Sequence, residues 1–309
     1  MKIKYIFHLA ALAVMTAACS SEDITQQQPA SQIYQKLPFR ATISTSAGTR
    51  GLTETTDGKT ITAAWVVGEK IALVHGKTVD VMTVKSVDTE GDTKGYAYIE
   101  GTITNFVDNE TVHLVYTGSS DGMALFGEKL EMVLGDYPGY TEITAAHVMQ
   151  TLETMLLAAT QDGTLTSISN ELDYRLGQST LTKTNGIVTL ASSTTLASQF
   201  AIWKLSLTTD GTTALAATKL ELDITEGSDN TVVSVTPAAA ASTFYVVLPP
   251  ATSATYKFTA TTSDGGNYYC TYNGVKLDAA NFYRSTLTFT LQTTGGSVED
   301  YGVETEKNW

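Results

Sequence analysis

Apolar and polar residues alternate one by one along most of this chain. In residues 37–43 the apolar positions are Leu37, Phe39, Ala41 and Ile43, and residues 219–224 show the same alternation. A period of two is typical of a β-strand with one buried face. By the same pattern we predict further strands at residues 70–74, 78–84, 95–104, 111–117, 199–208, 243–248, 255–262, 267–272 and 284–292.

Turn signals separate these strands. Asp-Gly pairs begin at Asp57, Asp121, Asp162, Asp210 and Asp264, and Asn-Gly pairs begin at Asn185 and Asn273. Both dipeptides favour the tight turns of β-hairpins because their residues tolerate positive φ angles. The chain is therefore predicted to be all-β and rich in hairpins.

One segment follows a helical period instead. In residues 144–159 the apolar residues Val148, Leu152, Met155, Leu156 and Ala159 recur at three- and four-residue intervals, which predicts one short helix. Residues 190–198 are small and polar, so we place a domain boundary there. This gives an amino-terminal β-domain over residues 37–192 and a carboxy-terminal one over residues 193–309, each of a size typical of β-sandwiches.

The composition narrows the choice of partners. The 309 residues include 19 Lys and Arg and 32 Asp and Glu, which gives a formal net charge of −13. There is no run of basic residues, so nucleic acid is not an expected partner. The hydrophobic fraction of 42% is that of a globular protein with a sizeable core.

The first 19 residues predict export. Two lysines precede an apolar stretch that ends in small residues before Cys19, which is typical of a secretory signal peptide and too short for a spanning helix of about 20 residues. Residues 16–19 resemble a bacterial lipobox, which implies removal of residues 1–18, lipidation of Cys19 and a flexible tether over residues 19–36. The alternative is an ordinary signal peptide that happens to lie near a cysteine.

Residues typical of catalysis are not arranged in a known motif. His75, His113 and His147 are far apart, and no metal-binding, nucleophile or phosphate-loop motif is present. We therefore expect no enzyme activity, metal or cofactor, and interpret His113 as a packed strand residue. The lone Cys270 is likewise interpreted as a small core residue.

Two weaker possibilities concern carbohydrate. Carboxylates could pair across a cleft as in glycoside hydrolysis, although an acidic solvated surface explains them equally well; they are Glu100, Glu110, Glu128, Glu131 and Asp136. Trp65, Trp203 and the tyrosines could form a sugar-binding platform. Because the tyrosines mostly alternate within strands, packing is the preferred interpretation.

Four segments together resemble a known family. They are the lipobox at Cys19 and three stretches that read LPFRATISTSAGTRG (37–51), AAWVVGEKIAL (63–73) and, over residues 245–291, YVVLPPATSATYKFTATTSDGGNYYC followed by LDAANFYRSTLTFTL. These segments resemble the fimbrillin subunits of type V pili of Bacteroidales. The resemblance implies two transthyretin-like, Greek-key sandwich domains in tandem, exported as a lipoprotein to the outer membrane and the fimbrium.

The resemblance also implies how such a chain assembles. A trypsin-like protease cuts behind an arginine in the loop after the first strand, a position that Arg50 matches; Arg40 is a second candidate, although it lies inside the predicted strand. Cleavage removes the strand carrying Leu37, Phe39, Ala41 and Ile43, and a segment of a neighbouring subunit replaces it. The terminal strand with Leu287, Phe289 and Leu291 is the proposed donor. Alternatively, Arg50 is only a charged loop residue.

We therefore expect a structural or accessory subunit of an adhesive pilus, without catalytic chemistry. Its partners would be other pilus subunits, the outer membrane through the lipid anchor, the protease and a host receptor or glycan. The alternative is a monomeric surface lipoprotein that binds a glycan or a host protein. An enzyme is the third possibility.

Overall fold

Strands dominate the part of the chain that the computed structural model describes, namely residues 36–45, 52–59, 61–62, 65–88 and 95–291. Cys19 and Arg50 lie outside these residues. The strands are β1 Lys36–Thr45, β2 Thr53–Glu54, β3 Ile61–Thr62, β4 Lys70–His75, β5 Thr78–Val87, β6 Ala97–Thr104, β7 Thr111–Thr117, β8 Tyr174–Thr184, β9 Ile187–Leu190, β10 Thr194–Ser198, β11 Ala201–Thr208, β12 Lys219–Glu226, β13 Asp229–Val235, β14 Thr243–Leu248, β15 Ala251–Thr261, β16 Asn267–Leu277, β17 Phe282–Thr288 and β18 Thr290–Leu291.

The first large sheet closes on itself. Its order is β10-β1-β6-β5-β4-β7-β8-β9, and β9 also pairs with β1 while β10 also pairs with β8. The two ends therefore meet, and the inward side chains fill one core. Sequence analysis predicted β1, β4, β5, β6 and β7 correctly and did not predict β8 and β10. The expected tandem pair of sandwiches is not confirmed, because this sheet is ring-like.

Two further sheets follow along the chain. One has the order β14-β11-β17 and the other β13-β12-β15-β16-β18. Inward residues of both belong to a single apolar core. Near its centre Trp203 meets the rings of Tyr256 and Phe258 edge to face, with centroids 5.3 and 5.8 Å away, which explains the burial of this tryptophan as packing.

Two longer helices lie between β7 and β8. They are α1 Ser120–Gly135 and α2 Ala145–Ala158, and a short helix α3 Leu165–Ser167 runs into a π-helical turn over Ile168–Leu172. The prediction of α2 is confirmed. Sequence analysis missed α1, and the hairpin turn predicted at Asp121 is wrong because this residue lies in the first helical turn, where an acidic side chain favours the helix.

Gly122 shows why the dipeptide was misleading. A β-carbon at this position would collide with the Thr117 carbonyl oxygen, so the glycine permits a close approach rather than a turn. The side chains of Met123, Phe126 and Leu130 then pack with α2 and with outward residues of β4 and β7 in a third apolar cluster. Tertiary packing stabilises the helix, and a local dipeptide such as Asp-Gly does not predict that packing.

Of the other Asp-Gly and Asn-Gly pairs, some form the predicted turns and others do not. Those at Asp57, Asn185 and Asp264 do connect paired strands. The signal at Asn273 is wrong as a turn, because Gly274 lies inside β16 with a φ of 67° near a register shift, as in a β-bulge. Asp162 and Asp210 lie in loops.

The segment expected to separate two domains contains a strand. Residues Thr194–Ser198 form β10, which pairs in parallel with β1 and antiparallel with β8. Its Leu196 is fully buried. The change from the first sheet to the next therefore falls between Ser198 and Ala201, and the division into two domains stays a prediction.

Replacement of Thr144 by alanine tests the α2 boundary. The Thr144 hydroxyl accepts a hydrogen bond from the His147 amide, and the Thr144 amide donates one to Nδ1 of the His147 ring. Loss of this capping box should lower the free energy of unfolding by about 1 kcal/mol in urea titrations. Thr154→Ala on the exposed face of the same helix is the matched control, with an expected change within about 0.5 kcal/mol; equal effects would contradict the assignment.

Candidate functional site: the first strand and the hairpin that follows it

β1 lies inside the closed sheet, not at an edge. Along one side it pairs antiparallel with β6 from Lys36–Thr104 to Ile43–Ala97. Along the other it pairs in parallel with β9 at Phe39 and with β10 from Ile43 to Thr45. Removal of β1 would therefore leave unpaired main-chain groups on three neighbouring strands, β6, β9 and β10.

The predicted alternation of β1 is confirmed by its burial. Phe39 and Ile43 are essentially inaccessible and Ala41 is 9% exposed, while Leu37 packs at the border of the same core. The intervening Lys36 and Arg40 are exposed. The strand thus contributes one apolar ridge to the core and presents a polar face to solvent.

Arg40 is part of this outer face. Its Nε atom lies 3.2 Å from the Glu100 carboxylate on β6, and both side chains are largely solvated, so the pair contributes little to stability. Because Arg40 lies within a paired strand, its backbone is not available to the extended cleft of a protease. This placement favours Arg50 over Arg40 as the processing position, although Arg50 lies outside the described residues.

The chain after Arg50 forms a small hairpin, β2–β3, which is held by charge. Lys204 on β11 places its Nζ atom 2.8 Å from each Glu54 carboxylate oxygen, and the Tyr245 hydroxyl of β14 donates to the same carboxylate. Arg284 on β17 donates to the Gly58 carbonyl over 2.6 Å. Each strand of the β14-β11-β17 sheet thus binds the hairpin, and we call these contacts the hairpin clasp.

The clasp perturbs the ionisation of Glu54. Burial alone would raise the pKa of this carboxyl, but the hydrogen bonds from Lys204 and Tyr245 outweigh burial and lower it. Burial alone would lower the pKa of Lys204, but its hydrogen bonds with Glu54 and Tyr245 outweigh burial and raise it. The pair is therefore ionised at neutral pH. Sequence analysis missed it, since 150 residues separate the partners and no local pattern connects them.

The proposed donor residues differ in their surroundings. Leu287 and Phe289 are both 1% exposed and belong to the core shared by the last two sheets. The Phe289 amide donates to the Thr208 carbonyl over 2.8 Å. Leu291 is 51% exposed, so it is the first of the three that does not pack in the chain's own core.

His113 and Cys270, two other residues considered for chemistry, are buried parts of the fold. His113 is buried in β7, where burial lowers its pKa, and Cys270 is a buried free thiol whose pKa burial raises. Within the described ranges no three His, Cys, Asp or Glu side chains are grouped so that they could hold a metal ion. No helix in the described part is long and apolar enough to cross a membrane.

His75, at the end of β4, forms a cluster that the sequence did not indicate. Its two ring nitrogens lie 3.1 Å from Glu110 and 3.1 Å from Asp80, and the ring is almost fully buried. Burial alone would lower its pKa, but the two carboxylates outweigh burial and raise it. Asp80 also accepts hydrogen bonds from the Thr104 amide and hydroxyl, so the cluster ties the end of β6 to the β4–β5 hairpin.

The clasp can be tested with Lys204→Met, which keeps the length of the side chain and removes its charge. Glu54, which is 18% exposed, would lose its cation, and the free energy of unfolding should fall by about 1 to 3 kcal/mol. A double-mutant cycle with Glu54→Gln measures the coupling. Lys257→Met, at an exposed position of β15, is the control; absence of coupling would contradict the clasp.

The raised pKa of His75 predicts a direction of pH dependence. The folded state binds the proton of the His75 ring more tightly than the unfolded state does. The stability that the protonated ring contributes is therefore complete below 6.5, the pKa of an ordinary histidine, and is lost as the pH rises through the pKa of the folded state. The stability difference between the wild type and His75→Gln should therefore shrink as the pH rises above about 6.5. Urea titrations across this range measure it, and a difference that grows with pH would refute the assignment.

Comparisons with known proteins give the following findings. No family model and no curated protein matches the sequence. A fimbrial assembly protein from Parabacteroides distasonis is similar in structure, with a TM-score of 0.46, 13% identity and coverage of 82% of this chain and 91% of that one. The tip fimbrial protein Mfa3 from Porphyromonas gingivalis has a TM-score of 0.39 at 8% identity, with 89% and 100% covered.

A fimbrial protein from Bacteroides ovatus has a TM-score of 0.37 at 12% identity, with 87% of this chain and 50% of that one covered. The solved structures similar to this chain thus include fimbrial proteins of Bacteroidales.

Proposed function

We propose that this chain is a structural or accessory subunit of an adhesive pilus at the cell surface, which assembles with other subunits by strand exchange. One observation carries the proposal. The first described strand, β1, lies between β6 and the strands β9 and β10 and buries an apolar ridge in the core. A fimbrial location agrees with the fimbrial proteins among the similar solved structures.

Export and processing complete the proposal. In this account Cys19 carries the lipid anchor, with two or three acyl chains sufficient for stable attachment to the outer membrane. A trypsin-like protease then cuts behind Arg50 and releases β1 together with the anchor. The hairpin clasp supports this order, because it begins within a few residues of the cut and holds the new amino-terminal segment to the β14-β11-β17 sheet.

Loss of β1 has a large free-energy cost unless another strand replaces it. Each fully buried side chain such as Phe39 or Ile43 contributes about 1.5 to 3 kcal/mol of hydrophobic stabilisation. The open rows of main-chain groups on β6 and β10 add to the cost, since unpaired strand edges recruit other strands. An extended segment that restores the hydrogen bonds and the apolar ridge would therefore bind there.

We place the donor segment beyond Leu291. Donation by Leu287 and Phe289 would require both side chains to leave the core in which they are buried. Leu291, being half exposed, is a suitable start for a segment that extends to a neighbour. A contact of this kind joins the tail of one subunit to the groove of the next and does not close, so it builds a filament.

Limited trypsin treatment of residues 20–309 tests this function. We expect an early cut behind Arg50, release of residues 20–50 and growth of the remaining fragment into ladders or filaments. Amino-terminal sequencing identifies the cut, and light scattering with electron microscopy follows the size of the particles. Arg50→Ala should block the cut and the growth together.

Two results would contradict assembly by cleavage and strand exchange. One is an Arg50 that resists trypsin while other exposed sites are cut. The other is a fragment that is cut behind Arg50, loses β1 and stays monomeric. Either result would favour an uncut anchor, a tip adhesin or a solitary surface lipoprotein that binds a glycan or a host protein.

A further inference from the structure

The side chains that meet across β1 and β6 are inversely matched in size. The register pairs Phe39 with Gly101, Ala41 with Ile99 and Ile43 with Ala97. Residues directly opposite each other in an antiparallel pair share a face of the sheet. Over these three pairs, therefore, each larger residue of one strand meets a smaller residue of the other, whereas Leu37 and Ile103, the pair at the border of the core, are both large.

Gly101 makes the Phe39 position distinct. A β-carbon on Gly101 would overlap the Met82 sulfur and lie 3.1 Å from the Val81 carbonyl oxygen, so the neighbouring strand β5 already fills the place of a side chain. Phe39 is 1% exposed and is paired with Val188 of β9 on its other side. The groove thus has an aromatic-sized site at the level of Gly101.

This inverse match in size determines the register of β1 against β6 more precisely than the alternation of apolar and polar residues does. A slip by two residues would keep apolar side chains inside, yet it would place Phe39 opposite Ile99 or Ile103 instead of Gly101. Both are branched and fully buried. Since protein interiors are close-packed, the extra volume there would strain the core, and a void would remain beside Gly101.

Building on the strand exchange proposed above, we propose that the groove selects a strand with an aromatic residue opposite Gly101 and smaller residues at the next two inward positions. We further assign Tyr301 of a second copy of this chain to the aromatic position. In the sequence after Leu291, Tyr301 is followed at alternate positions by Val303 and Thr305, both of which are smaller than tyrosine.

The length of the tail is compatible with this assignment. Ten residue steps separate Leu291, the last described residue, from Tyr301, and an extended chain covers about 3.3 Å per residue. The tail can therefore reach about 30 Å beyond its own sheet. The aromatic site of a neighbour lies within reach if the two subunits are in contact.

Peptide exchange into the full chain tests the selection. A specific protease site in place of residues 46–50 allows the chain to be nicked after β1, which then stays in place only by non-covalent contacts. A labelled peptide of residues 36–45 should exchange into the nicked protein, as followed by fluorescence anisotropy. Peptides with Phe39→Ala or Ala41→Phe should bind about tenfold more weakly or worse.

Matched controls separate size from composition. Thr42→Ala, on the outer face of the peptide, should change the affinity less than about threefold. A labelled peptide of residues 295–307 should also exchange, and Tyr301→Ala in it should weaken binding about tenfold.

The outcomes distinguish the two proposals. If the unaltered peptide 36–45 does not exchange, strand exchange itself is contradicted. If it exchanges and the Phe39→Ala and Ala41→Phe peptides bind equally well, strand exchange stands and size selection is overturned. If selection is observed and the 295–307 peptide does not bind, the assignment of Tyr301 is overturned.

Discussion

The pairing of β1 on both of its sides is the constraint on which the rest of this structure depends. The sheet closes because β1 joins β6 to β9 and β10, and the core inside the ring is complete only when Phe39, Ala41 and Ile43 point into it. A closed sheet offers no edge for other chains. In the proposed assembly, this sheet therefore offers no edge to another subunit as long as β1 is in place, and the same strand determines what must replace it.

The elements around this strand divide the chain into a replaceable and a retained part. On its outer face β1 has a solvated ion pair between Arg40 and Glu100 and an exposed hydrogen bond between the Ser44 and Thr195 hydroxyls, so among its side chains the core residues provide most of its attachment. The hairpin that follows is bound differently, through the largely buried ion pair of Glu54 and Lys204 and the bond from Arg284. Separation of the chain between these elements would release one and leave the other bound.

The sequence predicts those parts of the fold that are encoded locally. Alternation located β1, β7 and β14, and helical spacing located α2. Helix α1 was missed because the dipeptide Asp121-Gly122 is typical of a turn. In the structure, a glycine is needed at position 122 because the Thr117 carbonyl oxygen leaves no room for a β-carbon. Contacts between distant positions, such as Glu54 with Lys204 or Phe39 with Gly101, depend on the tertiary arrangement, and composition and periodicity contain no trace of them. The closure of the first sheet was missed for the same reason.

Hydrogen exchange tests the central claim most directly at those amides of β6, Ala97–Thr104, that donate to β1, because the remaining amides of this strand face β5. The account predicts slow exchange in the uncleaved chain, fast exchange in the cleaved monomer after β1 is released, and slow exchange again in the assembled form. Amides of β12, which lies in another sheet, serve as an internal reference. If those β6 amides stay protected after β1 has left, or stay unprotected in the assembly, then β1 is not a replaceable strand and the account is wrong.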